Sequence, residues 1–359
     1  MPLRLLQSLF RAAPTTASHS FDDALIRAAI ERVVEGADPR LRAVPNYQRK
    51  LRDAVAHSIA HVAQQVAMLP PALELSRRRF TLDPHVRALF VSPDHLREVL
   101  SASMRQDQGQ AVAARLPDGS AEIYAVLRIE RTEKTVLGVG MQGDLIQRDV
   151  PQTLVNFSDH RIAFPNASEA ETRREMMKRG FDYLIEAALD RLAAIRSQKQ
   201  QLQHQRQLLQ KKARVLKTAQ PGLEALLEDR AGGKTVTSAT VERQLAEIEA
   251  EFNRLQADSA TIDHHLEKVI ATLRQPEQYL RLGQVALTLN QMNVKVSGDA
   301  AKTASTLNFN DCLIGAHRRL TVLLVRFSRS ELLPEQPEDF FEEAQRLLYL
   351  NGRPRLTTL

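Results

Sequence analysis

Tryptophan is absent, and aromatic residues make up only 5 % of the chain, so any core must be built from aliphatic side chains. A single cysteine, Cys312, excludes an internal disulfide and fits a reducing compartment. Dense apolar segments such as 320–325 fall far short of the roughly 20 residues that span a bilayer. Between Met1 and Ser20 there is no acidic residue, and with Arg4 and Arg11 the stretch has some presequence character; an unstructured N-terminus over 1–20 is the simpler expectation. Motifs that would announce a chemistry are missing too, and no G-x-S-x-G nucleophile turn occurs.

What remains is ample for folding. The 359 residues are 43 % hydrophobic and carry a net charge of +6, enough for two or three domains. Residues 1–105 hold 15 Lys or Arg against 10 Asp or Glu, which places most of the excess positive charge there. That balance permits nucleic acid or an anionic surface as partner without requiring either.

The strongest pattern lies in the middle. Phe181, Ile185, Ala188, Leu192, Ile195, Lys199, Leu202, Arg206, Leu209, Ala213 and Leu216 step by alternating fours and threes. Val241, Leu245, Ile248, Phe252, Leu255, Ser259, Ile262, Leu266, Val269 and Leu273 do the same. Such spacing predicts two coiled-coil helices. From Arg191 to Lys217 there are eight Lys or Arg and no acid, whereas Glu242 to Glu267 holds seven acids against Arg243 and Arg254. An antiparallel fold-back near residue 228 would set Arg191 near Glu267, Lys199 near Asp258, Arg206 near Glu251 and Lys211 near Glu247. Each exposed pair contributes only about 0.2–1 kcal/mol, so the pairs select the partner helix and the apolar seam stabilises it.

The flanking segments divide by period. Helices are expected over 22–35 and from Pro45 to the Pro70-Pro71 stop, and Asp83-Pro84 and Ser92-Pro93 each pair a capping side chain with a proline at the first helical position. From Ala121 the period becomes two, with a polar break at 131–133 and a hairpin turn at Gln142-Gly143-Asp144. Ser168 with Glu171 reads as a capping box. Strands resume after Pro276, and a last helix follows Pro337.

The expected architecture is α+β: a helical N-terminal domain and a β-rich head interrupted by a long antiparallel coiled-coil hairpin. Its segments are 1–20, an unstructured terminus; 21–117, the helical domain; 118–165, a β-meander; 166–275, the hairpin; 276–335, the remaining head strands; and 336–359, a C-terminal helix and tail.

Several constellations imitate active sites. Ala231-Gly232-Gly233-Lys234-Thr235 lacks the first glycine and the preceding strand of a phosphate loop. His57 and His61 share a helix face, but Ser58 stands where a metalloprotease needs glutamate. Ser158, Asp159 and His160 are consecutive, which cannot give triad geometry, and Cys312 with His317 is an equally weak dyad. No catalytic, cofactor or metal residue is assigned. A site on the β-head using Arg128, Glu130, Arg148, Asp149, Asp159 and His160 is the enzymatic alternative.

Two surfaces are nominated instead. Leu223, Leu226 and Leu227, at the hairpin apex, are far from any core and form an apolar contact for a protein partner. Arg77, Arg78 and Arg79, before Phe80, are the densest basic cluster and would contact phosphates of a nucleic acid. The leading expectation is therefore a cytoplasmic, non-enzymatic scaffold that offers a coiled-coil arm to a protein, with nucleic-acid association second. The heptads would equally serve a homodimer in which two chains exchange arms.

Overall fold

A computed structural model describes residues 22–106, 121–142, 145–218, 238–259, 261–296, 304–315 and 318–333. Helices and a largely antiparallel sheet coexist, so the class is α+β. The chain divides into two compact units, Met1–Val66 with Met177–Arg281 and Ala67–Met176 with Leu282–Leu359. Residues 21–117, which read as one helical domain in the sequence, thus fall on both sides of a boundary at Val66.

The first unit is helical. Asp22 accepts the N–H of Ala24 and opens α1 (Asp23–Ala37), which buries Leu25, Ile26, Ala29, Ile30, Val33, Val34 and Ala37 at helical spacing. Asp38 breaks that helix in an extended conformation and caps the 3-10 turn Pro39–Ala43. Asn46, at φ 57°, precedes α2 (Tyr47–Ala67). α6 (Glu169–Thr218) begins in the other unit and adds Phe181, Leu184, Ile185, Ala188 and Leu192 to this core. α7 spans Ser238–Ser259 and α8 spans Ile262–Leu273.

Contacts between these helices are close. Ser58 donates its hydroxyl to the Leu273 carbonyl at 2.6 Å from a fully buried position, and Arg32 pairs with Asp182. A Cβ on Gly36 would lie 2.7 Å from Ile185 Cγ2. The second heptad run, expected as one helix, is interrupted: Thr261 is extended and accepts the N–H of His264 at 3.4 Å, so a new helix starts there. A β-branched residue with a capping hydroxyl explains the restart.

The second unit is built on a six-stranded sheet. Its strands are β1 (Leu73–Glu74), β2 (Glu122–Gln142), β3 (Leu145–Asn166), β4 (Leu280–Leu289), β5 (Ser305–Ile314) and β6 (Arg318–Ser328). The order is β3-β2-β6-β5-β4, with β1 parallel to β6. α3 (Arg77–Leu82), α4 (Pro84–Leu89) and α5 (Pro93–Gln106) precede the long hairpin. Asp83 and Ser92 cap as expected, accepting from His85 and His95 at 2.9 and 3.0 Å. Leu75, Leu89, Phe90, Leu96 and Leu100 join Ile123, Leu127, Ile129, Phe309, Val325 and Phe327 in one core.

The expected break at 131–133 is not there. β2 continues through Arg131, Thr132 and Glu133, paired with Phe157, Asn156 and Val155. Charge is accommodated because Arg131 bridges Glu133 at 2.9 Å and Asp311 at 2.6 Å, while Lys295 reaches Glu133 at 2.6 Å. Asp311 also accepts the Thr321 hydroxyl at 3.0 Å. Gln142 pairs with Leu145 across the β2–β3 ladder, while Gly143 and Asp144 of the expected turn lie outside the described residues. β5 had no counterpart in the sequence reading, and 336–359 lies outside the described residues.

Candidate functional site

The long helices hold the seam on which a functional reading depends. Leu202, Ala213, Val241 and Phe252 are buried. The Phe252 ring sits between the Lys199 ammonium, 6.0 Å from its centroid, and the Arg206 guanidinium, 5.2 Å away. Cations facing an aromatic ring are stabilised by its quadrupole, which accounts for two basic residues beside Phe252 at positions where the heptad spacing calls for apolar ones. Gln198 donates to Glu251 of α7 at 3.3 Å, and Arg191 donates to the Thr272 hydroxyl of α8 at 3.4 Å.

The charge register differs from expectation. No ion pair joins Arg191 to Glu267, Arg206 to Glu251 or Lys211 to Glu247. Glu247 instead faces Arg243 at 4.0 Å, one turn back on its own helix. The Asp258 side chain lies outside the described residues. Two causes act together: the restart at Thr261 changes the phase of the return path, and the Phe252 ring claims both seam cations. Further along α6, Leu208 and Val215 are 52 % and 61 % exposed. The nominated tip, Leu223, Leu226 and Leu227, lies outside the described residues, as does the 231–235 loop.

Arg77, Arg78 and Arg79 are exposed on α3. Arg77 pairs with Glu331 at 3.4 Å and Arg79 with Glu74 at 3.2 Å, leaving Arg78 without an acidic partner among the described residues. Two of the three charges are thereby engaged within the chain, which weakens them as phosphate contacts.

The six polar residues proposed for the β-head do not converge. Asp159, at φ 49° beside a register shift in the β2–β3 ladder, holds Arg128 at 3.1 Å and Arg161 at 2.9 Å. These arginines keep its carboxyl below the ordinary range, the Arg161 hydrogen bond being the largest cause. His160 turns away to bond the Leu89 carbonyl at 2.7 Å and stacks on Phe90. Burial holds its imidazole below its usual pKa. Arg148 and Asp149 are exposed. His61 is likewise engaged with the Leu280 carbonyl at 2.7 Å, and His57 is exposed.

One cluster had no counterpart in the sequence reading. Asp38 receives the Nε and Nη2 of Arg40 at 3.0 and 2.9 Å, the backbone N–H of Arg40 at 3.1 Å, and Nη2 of Arg196 at 3.0 Å. His265 Nδ1 approaches to 3.6 Å. The Arg40 hydrogen bond chiefly draws the Asp38 carboxyl down to about 2, and burial lowers the His265 imidazole. These groups, with Lys199 and Lys268, line a depression of about 230 Å³ floored by Leu192 and Ile195. Among the described residues no group of three or more His, Cys, Asp or Glu is placed to hold a metal ion, and no helix is long and apolar enough to cross a membrane. Comparison with protein-family models, curated proteins and solved structures gives no match.

Proposed function

We propose that the chain is a non-enzymatic interaction protein of the cytoplasm, in which α6 and α7 form an antiparallel coiled-coil arm offered to a protein partner. The observation that carries this reading is the state of α6 beyond Leu202. Leu208 and Val215 remain exposed there, and the Arg206 guanidinium stands over the Phe252 ring where the heptad spacing calls for an apolar residue. At 1.5 Å per residue, the 50 residues of α6 extend about 75 Å. Helical length without a closed apolar seam suits a surface that a second helix completes.

The test compares the intact protein with two variants, Leu208→Ser/Val215→Ser and Leu223→Ser/Leu226→Ser/Leu227→Ser, by mass spectrometry of what co-purifies from native lysate. A stoichiometric protein partner lost from either variant, with the circular dichroism spectrum unchanged, supports the arm. Equal recovery with all three sinks it. Light scattering on the same samples separates the exchanged homodimer from a foreign partner, because only the former halves in mass when the arm is altered. The nucleic-acid alternative through Arg77, Arg78 and Arg79 is second, since Glu331 and Glu74 already engage two of those arginines.

A further inference from the structure

The depression around Asp38 carries more positive charge than its surroundings neutralise. Arg40, Arg196, Lys199 and Lys268 face it, and Asp38 is the one carboxylate that pairs with any of them among the described residues. Four cations against one carboxylate leave a net +3 with His265 neutral. Like charges held this close repel, and a compact anion relieves the repulsion in a way water cannot.

The donors are also prepared. Asp38 is only 7 % exposed and takes two donors from the Arg40 side chain and one from Arg196. A guanidinium has five N–H donors, so three remain on Arg40 and four on Arg196. Held by the same carboxylate, the two planar groups are fixed in orientation before any ligand arrives, which is where arginine gains over lysine as an oxyanion binder. Neither Lys199 nor Lys268 forms an ion pair with a described residue; the Lys199 ammonium lies over the Phe252 ring, so three ammonium donors, those of Lys268, add to the seven.

We infer that this depression is a binding site for a compact phosphate-bearing anion of the pyrophosphate class. Size argues for small ligands: about 230 Å³ lies under the 300–1,000 Å³ typical of pockets that enclose drug-sized molecules, so a phosphate group or pair of groups is enclosed while anything attached projects outward. Charge argues for a polyanion, since a single carboxylate would leave most of the ten donors unused. The residues come from the turn after α1, from α6 and from α8, all within the first unit.

The full-length protein is titrated with inorganic pyrophosphate at neutral pH and low salt by isothermal calorimetry. Saturable binding at one site per chain is expected, weakened at least tenfold by Arg196→Gln/Lys268→Gln and at least threefold by Lys268→Gln alone. Lys50→Gln, which removes an exposed cation paired with Asp263 elsewhere on the unit, leaves the affinity unchanged. Absence of saturation at 10 mM pyrophosphate overturns the assignment, as does unchanged affinity in a correctly folded Lys268→Gln protein. Binding of a short single-stranded oligonucleotide through these residues without binding of pyrophosphate also overturns it, in favour of a nucleic-acid backbone.

Discussion

Replacing Asp311 by alanine tests whether the buried charges of the sheet act as one unit. Arg131 and Asp311 are 7 % and 6 % exposed at their side chains and lie 2.6 Å apart. Removing one member of a buried pair costs about 3–5 kcal/mol, because the other charge is left uncompensated. Glu133 still holds Arg131 at 2.9 Å, so the lower end, about 3 kcal/mol, is expected. Cys312, the next residue on β5, provides the assay. It is buried, and burial pushes its thiol up to about 11, so the closed sheet does not react with a disulfide reagent at pH 8. Labelling then reports the open population, and 3 kcal/mol at about 1.4 kcal/mol per decade predicts a rate increase of roughly 100-fold in Asp311→Ala. The double change Arg131→Met/Asp311→Leu removes both charges and should return the rate to within about tenfold of the parent. A single variant that labels less than fivefold faster, or a double variant as fast as the single one, refutes the reasoning.

Acid should loosen the first unit through Asp38. Its carboxyl sits at about 2 against an ordinary 3.8, so its contribution is fully present above pH 4 and is lost as pH falls towards 2; exposure of Arg40 and Arg196 discounts about 2 kcal/mol to roughly 1. Urea midpoints between pH 5 and 2.5 should fall less in Asp38→Asn than in the parent, and parallel slopes would contradict this. Gly36→Ala should destabilise despite a helix-propensity gain of about 1 kcal/mol, because the new Cβ meets Ile185 Cγ2 at 2.7 Å and a β-branched side chain in a helix cannot swing aside. Overpacking costs of about 1–3 kcal/mol should disappear in Gly36→Ala/Ile185→Ala relative to Ile185→Ala alone, as read by thermal melting.

Local rules exposed what is local. Asp83-Pro84, Ser92-Pro93 and Ser168 mark helix starts because a cap needs only its own next turn, and Ser168 does accept the Glu171 N–H at 3.3 Å. The alternation at Ile123, Leu127 and Ile129 and the density of 320–327 were legible because these strands face the core. β5 was not, since Asn308, Asn310 and Asp311 interrupt its apolar pattern, and the partners that make Asp311 acceptable, Arg131 and Thr321, are distant in sequence. For the same reason Arg131 to Glu133 looked like a loop. The Asp38 cluster was invisible: it gathers a turn after α1, the middle of α6 and the first half of α8, and none of the three is unusual alone.

The unit boundaries follow from that same non-local pairing. Each unit is closed by chain made more than a hundred residues after its first segment: α1 and α2 wait for α6 and α8, and β1 and β2 wait for β6. A sequence reading cuts where the period changes, near 118 and 166, yet Leu75, Leu89 and Phe90 are buried with strands, while Leu25, Val33 and Leu51 are buried in the helical unit. Secondary-structure type and unit membership are therefore set by different physics. The first depends on the spacing of apolar residues along a few turns, and the second on which distant stripe covers them. A segment such as α6 illustrates both: its heptad spacing is continuous, but its first turns serve the sheet unit, where the Thr172 hydroxyl bonds the Tyr124 carbonyl at 3.1 Å, and its middle serves the helical one through Phe181 to Leu192. Beyond Leu202 it leaves Leu208 and Val215 exposed, so neither unit's core accounts for that stretch, and a surface completed by a partner is the reading proposed for it.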